Sequence, residues 1–226
     1  LQDMQDDDLL LGTRQKITPY GYKLLLIGNQ LQLLPANQDF YPPNTSLDDP
    51  ANPDTSLYWH SLLNVYGTVR PGISQIWLQN PFMDTEIVGT IAYNPNDDRL
   101  LIYNIDQSTL PQDTLDPVDS VVNPLVAGPN AGLPAPIDGT RYLIVEDVGA
   151  SNSSTEAWGT VVAYANDIIQ YDGLTGQWFV SFDSQNLTDV QYVRNLTTNI
   201  QYRYTQGYWM KSVDGWYDQG DYSIVI

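Results

Sequence analysis

The sequence predicts an all-β fold, mostly antiparallel, in which hairpins build β-sandwich or small barrel-like subdomains separated by long Pro-rich loops. Three observations carry that expectation. Of 27 acidic residues only Glu86, Glu146 and Glu156 are glutamates, and the remaining aspartates favour turns and caps over helix interiors. The chain holds 16 Gly, 15 Pro and 16 Tyr with few runs of strong helix formers. Short apolar runs with period-2 alternation, bounded by Asp, Asn, Gly or Pro, recur on the order of twelve times, the spacing of sandwiches and small barrels.

Residues Leu1 to Asp8 are acidic and aperiodic, so an arm over 1–19 that orders against a partner is expected. Tyr20 to Ile27 reads as the first strand. Its consecutive Leu24, Leu25, Leu26 and Ile27 suit a strand buried on both faces, and Gly28-Asn29 makes a two-residue turn into Leu31 to Leu34. From 35 to 56, five prolines exclude a regular element and predict a long loop, for which a subunit contact is the expected use. Leu57 to Tyr66 fits either a short helix or a strand. Strands follow at Ile73 to Leu78, Glu86 to Tyr93 and Arg99 to Ile105, the last two as a hairpin.

Between 106 and 139 six prolines and little alternation mark a domain boundary, read as an extended linker. This divides the chain into the arm 1–19, an N-terminal β subdomain 20–105, the linker 106–139 and a C-terminal aromatic β-meander domain 140–226. In that last part Arg141 to Glu146 and Trp158 to Tyr164 predict strands. A repeat follows: Ile169-Gln170-Tyr171, a turn at Asp172-Gly173 and the run Gln177 to Asp183 match Ile200-Gln201-Tyr202, a turn at Gln206-Gly207 and the run Tyr208 to Asp214. In both copies Trp178 or Trp209 stands nine positions after the Ile. A looser copy spans Ile91 to Asp106. Recurrent aromatics gain cross-strand contacts of roughly 0.2–1 kcal/mol per pair, so sheet packing is their first reading. The closing run Tyr222 to Ile226 is a strand that must pair internally, because an exposed apolar edge invites association.

A net charge of −18, with nine scattered bases, argues against nucleic acid or an anionic membrane as a partner, since both demand clustered Lys and Arg. The longest apolar run, Leu24 to Ile27, falls far short of the roughly 20 residues of a spanning helix. A chain that opens on Leu is expected to be a processed product or a piece of a longer one. Cysteine is absent, which removes disulfides, Cys-ligated zinc and thiol nucleophiles. His60 is the only histidine, there is no Gly-x-Ser-x-Gly elbow, and no phosphate-cradling motif occurs. Asn94 to Asp98 offers alternate oxygen ligands but lacks the Gly and distal Glu of a calcium loop, so it reads as a hairpin turn. Neither a cofactor nor a metal site is expected, and the chain is read as no enzyme.

Two stretches carry a family likeness. Gly132-Leu133-Pro134 leads to Gly139-Thr140-Arg141-Tyr142-Leu143-Ile144, and Ala165-Asn166-Asp167-Ile168-Ile169-Gln170-Tyr171-Asp172-Gly173 leads to Trp178. Their pairing resembles segments of virion structural proteins of contractile-tailed (myovirus-type) bacteriophages, over about the last hundred residues. The resemblance implies a non-enzymatic structural subunit of the tail, baseplate or neck, located in the virion, whose partners are other virion proteins and copies of itself. The rival expectation is a carbohydrate-binding or host-receptor-binding β-module, with a glycan stacked on Trp178, Trp209, Trp216, Tyr208 or Tyr217. Exposure separates the two, because a stacking platform must be open to solvent.

Overall fold

A computed structural model describes residues 21–36, 58–80, 84–149 and 156–226. The arm expected over 1–19 and nearly all of the loop expected over 35–56 lie outside those residues. The described chain is mostly β, as expected. It divides into two compact units, Leu1–Pro111 with Val213–Ile226, and Gln112–Ser212.

The first unit is one seven-stranded sheet. In chain order its strands are β1 (Tyr22–Ile27), β2 (Gln30–Pro35), β3 (Gln75–Gln79), β4 (Glu86–Tyr93) and β5 (Leu100–Ile105), joined at the far end of the sequence by β15 (Gly215–Tyr217) and β16 (Tyr222–Val225). The spatial order is β15-β1-β2-β5-β4-β3-β16. The two edge strands are consecutive in sequence, linked by the turn 218–221, so the sheet curls into a nearly closed, barrel-like form. β16 pairs with β3 from Tyr222↔Leu78 to Val225↔Gln75, which gives the terminal strand its internal partner.

Alternation places Ile76, Leu78, Ile87, Ile91, Leu101 and Tyr103 in one core with Leu24, Leu26, Leu31, Leu33, Tyr222 and Ile224. β1 is buried on both faces over Leu24 to Leu26, as its consecutive leucines predict, and β2 is buried on both faces over Leu31 to Leu34 although Gln32 interrupts its apolar run. The ambiguous segment is a short helix, α1 (Trp59–Leu63), whose Trp59 and Leu63 enter the same core. The Trp59 indole N–H donates to Leu31 O at 3.1 Å and to Arg99 O at 3.0 Å, so its burial leaves no orphan donor. Tyr103 donates its buried hydroxyl to Ile76 O at 3.2 Å and Ile87 O at 3.1 Å. Its ring lies over Gly89, where a Cβ would collide with Tyr103 Cε2 and stand 2.7 Å from Asn104 O.

The second unit stacks its elements in layers. Its strands are β6 (Ser120–Val122), β7 (Gly128–Pro129), β8 (Gly132–Leu133), β9 (Arg141–Ile144), β10 (Ile168–Asp172), β11 (Gln177–Phe182), β12 (Gln191–Asn195), β13 (Ile200–Thr205) and β14 (Tyr208–Lys211). A four-stranded sheet, β11-β10-β9-β6, has one parallel pair, β6 with β9; a three-stranded antiparallel sheet is ordered β12-β13-β14. Tyr142, Ile144, Ile169 and Trp178 leave one face of the larger sheet toward Trp158, Val148 and Val161. Leu143, Ile168 and Phe182 leave the other toward Val193 and Tyr204 of the smaller sheet.

Three expectations are corrected. The segment 106–139 is not a linker: Leu110 packs on the first core, and from Gln112 the chain builds the second unit through β6, β7 and β8. Its prolines stand outside the ladders of the larger sheets, where a missing N–H costs nothing, while Val118 and Val122 between them are buried. The boundary at 140 is likewise displaced, since Val213–Ile226 returns to the first unit. Finally, the strand expected over Trp158–Tyr164 is a 3₁₀ turn, Glu156–Trp158, followed by a single bridge, Val148↔Ala163. Gly159 at φ +67° breaks the extended run there.

Candidate interaction surface

The aromatic residues singled out as a ligand platform take different roles. Trp178 is buried (7% exposed), stacked on Tyr142 at 5.5 Å and edge-on to Trp158 at 5.0 Å. Tyr217 is buried in the first core and donates its hydroxyl to Val213 O at 2.9 Å. Neither can present a ring face to a glycan, so the structure removes both from the platform. Trp209 is half-buried, packs with Phe182 and Tyr204 at 5.2 Å each, and donates its indole N–H to Asn166 O at 2.9 Å. Trp216 and Tyr208 are open to solvent, but they belong to different units. The Trp216 face is also occupied by Lys23, whose Nζ lies 4.4 Å from the ring centroid.

His60 lies on α1, where its ring stacks on Tyr93 at 3.6 Å with an interplanar angle of 11° and Nδ1 hydrogen-bonds Asp98 Oδ1. The Asp98 carboxylate also accepts from the His60 backbone N–H at 3.2 Å, and Asp98 O accepts from Trp59 N at 2.9 Å. Asp98 thus caps the helix that carries Trp59 into the core. Burial, aided by the Asp98 charge, pushes the Tyr93 phenol up. The turn Asn94 to Asp98 spends its oxygens locally: Asp97 holds Arg99 through bonds at 2.8 Å to Nε and Nη2. Among the described residues no group of three or more His, Asp or Glu side chains converges to hold a metal ion. Glu146 is exposed.

The arrangement best suited to recognition is one end of the larger sheet of the second unit, where two turns lie side by side. In the first, Ile137 N donates to Thr140 Oγ1 at 3.0 Å and Thr140 N to Ile137 O at 3.0 Å. Gly139 N donates to Tyr171 O and Tyr171 N to Thr140 O, both at 2.9 Å, which ties this turn to β10. In the second, the Asp172 carboxylate accepts from Leu174 N at 2.9 Å and from the Thr175 hydroxyl at 2.8 Å, and Gly176 N donates to Asp172 O at 2.8 Å. Asp138 joins the two by accepting from Gly173 N at 2.8 Å. A Cβ at Gly173 would stand 2.7 Å from the Asp138 Cβ, so the close approach demands glycine. The Thr175 hydroxyl, then the Leu174 N–H, hold the Asp172 carboxyl below its ordinary range.

On this braced frame stand two aliphatic side chains with nothing over them, Ile137 at 75% and Leu174 at 97% exposure. Asp138 and Asp172, both carboxylates, flank them. A single exposed aliphatic is ordinary on a protein surface. Two on adjacent hydrogen-bonded turns form a preorganised anchor, which loses little conformational entropy on docking. Chemically the arrangement buries apolar area and offers carboxylates. Sequence reasoning missed both residues, because a lone aliphatic in a turn leaves no periodic signal and 106–139 read as a linker; Asp172-Gly173 was legible as a turn.

No protein-family model, curated protein or solved structure matches this chain.

Proposed function

We propose that this chain is a non-enzymatic structural subunit of a tailed-phage virion, in the tail, baseplate or neck region, working through protein–protein contacts. The observation that carries the reading is the pair of braced turns presenting Ile137 and Leu174 to solvent. Fully burying an aliphatic side chain of that size is worth about 1.5–3 kcal/mol, so a partner that covers both gains a hot spot without refolding the subunit. The stretches that bear the resemblance to contractile-tail virion proteins, Gly132 to Ile144 and Ala165 to Trp178, are the ones that build this end. An acidic surface also suits a component that must not adhere to packaged DNA.

The test is a mass-spectrometric inventory of gradient-purified particles from the source that makes the chain. Under this reading the chain co-sediments with the particles at fixed stoichiometry and resists salt washing. A chain found only in the soluble fraction would refute it.

A further inference from the structure

The first unit carries a second exposed apolar stretch, of opposite charge. After α1, residues 64–73 leave only Val69 in the core, at 5% exposure, while Val65, Tyr66 and Ile73 stand open at 76%, 41% and 69%. This stretch too is held by hydrogen bonds. Tyr66 N and Gly67 N donate to Leu63 O at 2.9 and 3.1 Å; Ile73 N and Ser74 N donate to Arg70 O at 2.9 Å each, and Arg70 N donates to Ser74 Oγ at 3.0 Å. Arg70 is exposed at the head of that turn, and its guanidinium makes no ion pair among the described residues. By contrast Arg99, Arg141 and Arg194 are paired with Asp97, Asp116 and Asp113. Tyrosine and arginine amid aliphatic residues is the composition of an interface core, where Lys, Glu and Asp are depleted.

The two surfaces complement each other. One offers Val65, Tyr66 and Ile73 on the same ten-residue stretch as the cation Arg70, the other Ile137 and Leu174 beside two carboxylates, and each is exposed in the single chain. Resting on the structural-subunit reading, we infer that copies of this chain dock head to tail, with stretch 64–73 of one copy on the Ile137/Leu174 turns of the next. Arg70 answers Asp138 and Asp172 across that contact. On a chain of net charge −18 most self-contacts oppose like charges, and an exposed arginine in an apolar setting singles out this one. The contact is heterologous, so a docked pair still has one surface of each kind free, one on each copy, and association propagates into a ring or a filament.

The inference is tested by complementation of two variants of the full chain, Arg70→Glu and the double variant Ile137→Ser with Leu174→Ser. All three side chains are exposed, so folding is expected to survive, and circular dichroism and the thermal midpoint check it. Sedimentation equilibrium runs from about 1 μM to about 1 mM, the span of a weak transient contact. The wild type is expected to grow in mass with concentration, and each variant by itself to associate at least about tenfold more weakly, as for loss of a hot spot. A one-to-one mixture has a single intact pairing and is expected to stop at heterodimers. A wild type that stays single throughout, an Arg70→Glu chain that associates like the wild type, or a mixture that stays single or grows beyond two copies would each overturn the contact. A chain present in particles whose purified copies stay single loses this contact and keeps the particle assignment; a self-associating chain absent from particles does the reverse.

Discussion

Tyr103 and Gly89 show how a single aromatic residue fixes the first unit. The ring fills the barrel-like interior over the glycine, and the hydroxyl satisfies the carbonyls of Ile76 and Ile87. Gly89→Ala is expected to destabilise by about 1–3 kcal/mol through overpacking, and Tyr103→Phe by about 1–2 kcal/mol through the lost hydrogen bonds, both read from urea midpoints. Charge acts more locally. The Arg99 guanidinium holds the Asp97 carboxyl below its ordinary range, so the stability from that pair is present above the unfolded value near pH 4 and lost as pH falls through the lower folded one. The gap between wild type and Asp97→Asn should therefore be widest at neutral pH and close in acid. Burial, with Tyr217 nearby, pushes the Tyr103 phenol up, which adds stability below about pH 10 that disappears above it. Turn residues such as Asp172-Gly173 were legible in the sequence, because tight reversals restrict residue type. The exposure of Ile137 and Leu174 was not, because it depends on what the rest of the chain fails to cover.

At the scale of elements, the hairpins were legible and their places were not. β4 with β5, β10 with β11 and β13 with β14 all form, yet the two closest sequence copies differ in register. Trp178 faces Tyr171 across a four-residue loop, whereas Trp209 faces Tyr204 across the two-residue turn Gln206-Gly207, both at positive φ. Equal spacing in sequence thus sends one tryptophan to one side of the large sheet and the other into the core between the sheets. Loop length sets register, and register sets the face, information that the repeat itself lacks. The last strand tests this level. Removing Tyr222–Ile226 strips β3 of one of its two neighbours and takes Tyr222 and Ile224 from the first core, while the cores of the second unit contain none of these residues. Calorimetry of that truncation is expected to show the first unit's transition lost or strongly lowered and the second's retained; a common downward shift of both would contradict it.

The whole molecule places two units on one chain, the second inserted between Pro111 and Val213 of the first. That topology was hidden from composition. Proline density marked a change near 106, but two strands returning from the far end of the chain, β15 to β1 and β16 to β3, leave no local trace. Both cores of the second unit draw only on residues 112–212, so that fragment is expected to fold cooperatively by itself, with a dispersed amide spectrum as the check. The central claim is that this unit carries an assembly contact through Ile137 and Leu174. It is tested most directly by supplying wild-type or Ile137→Ser/Leu174→Ser chain during particle assembly and quantifying each in gradient-purified particles. The wild type should enter the particles, and the double variant, although folded, should be depleted from them and stay at the top of the gradient. Equal incorporation of the two chains, or exclusion of both, would contradict the account.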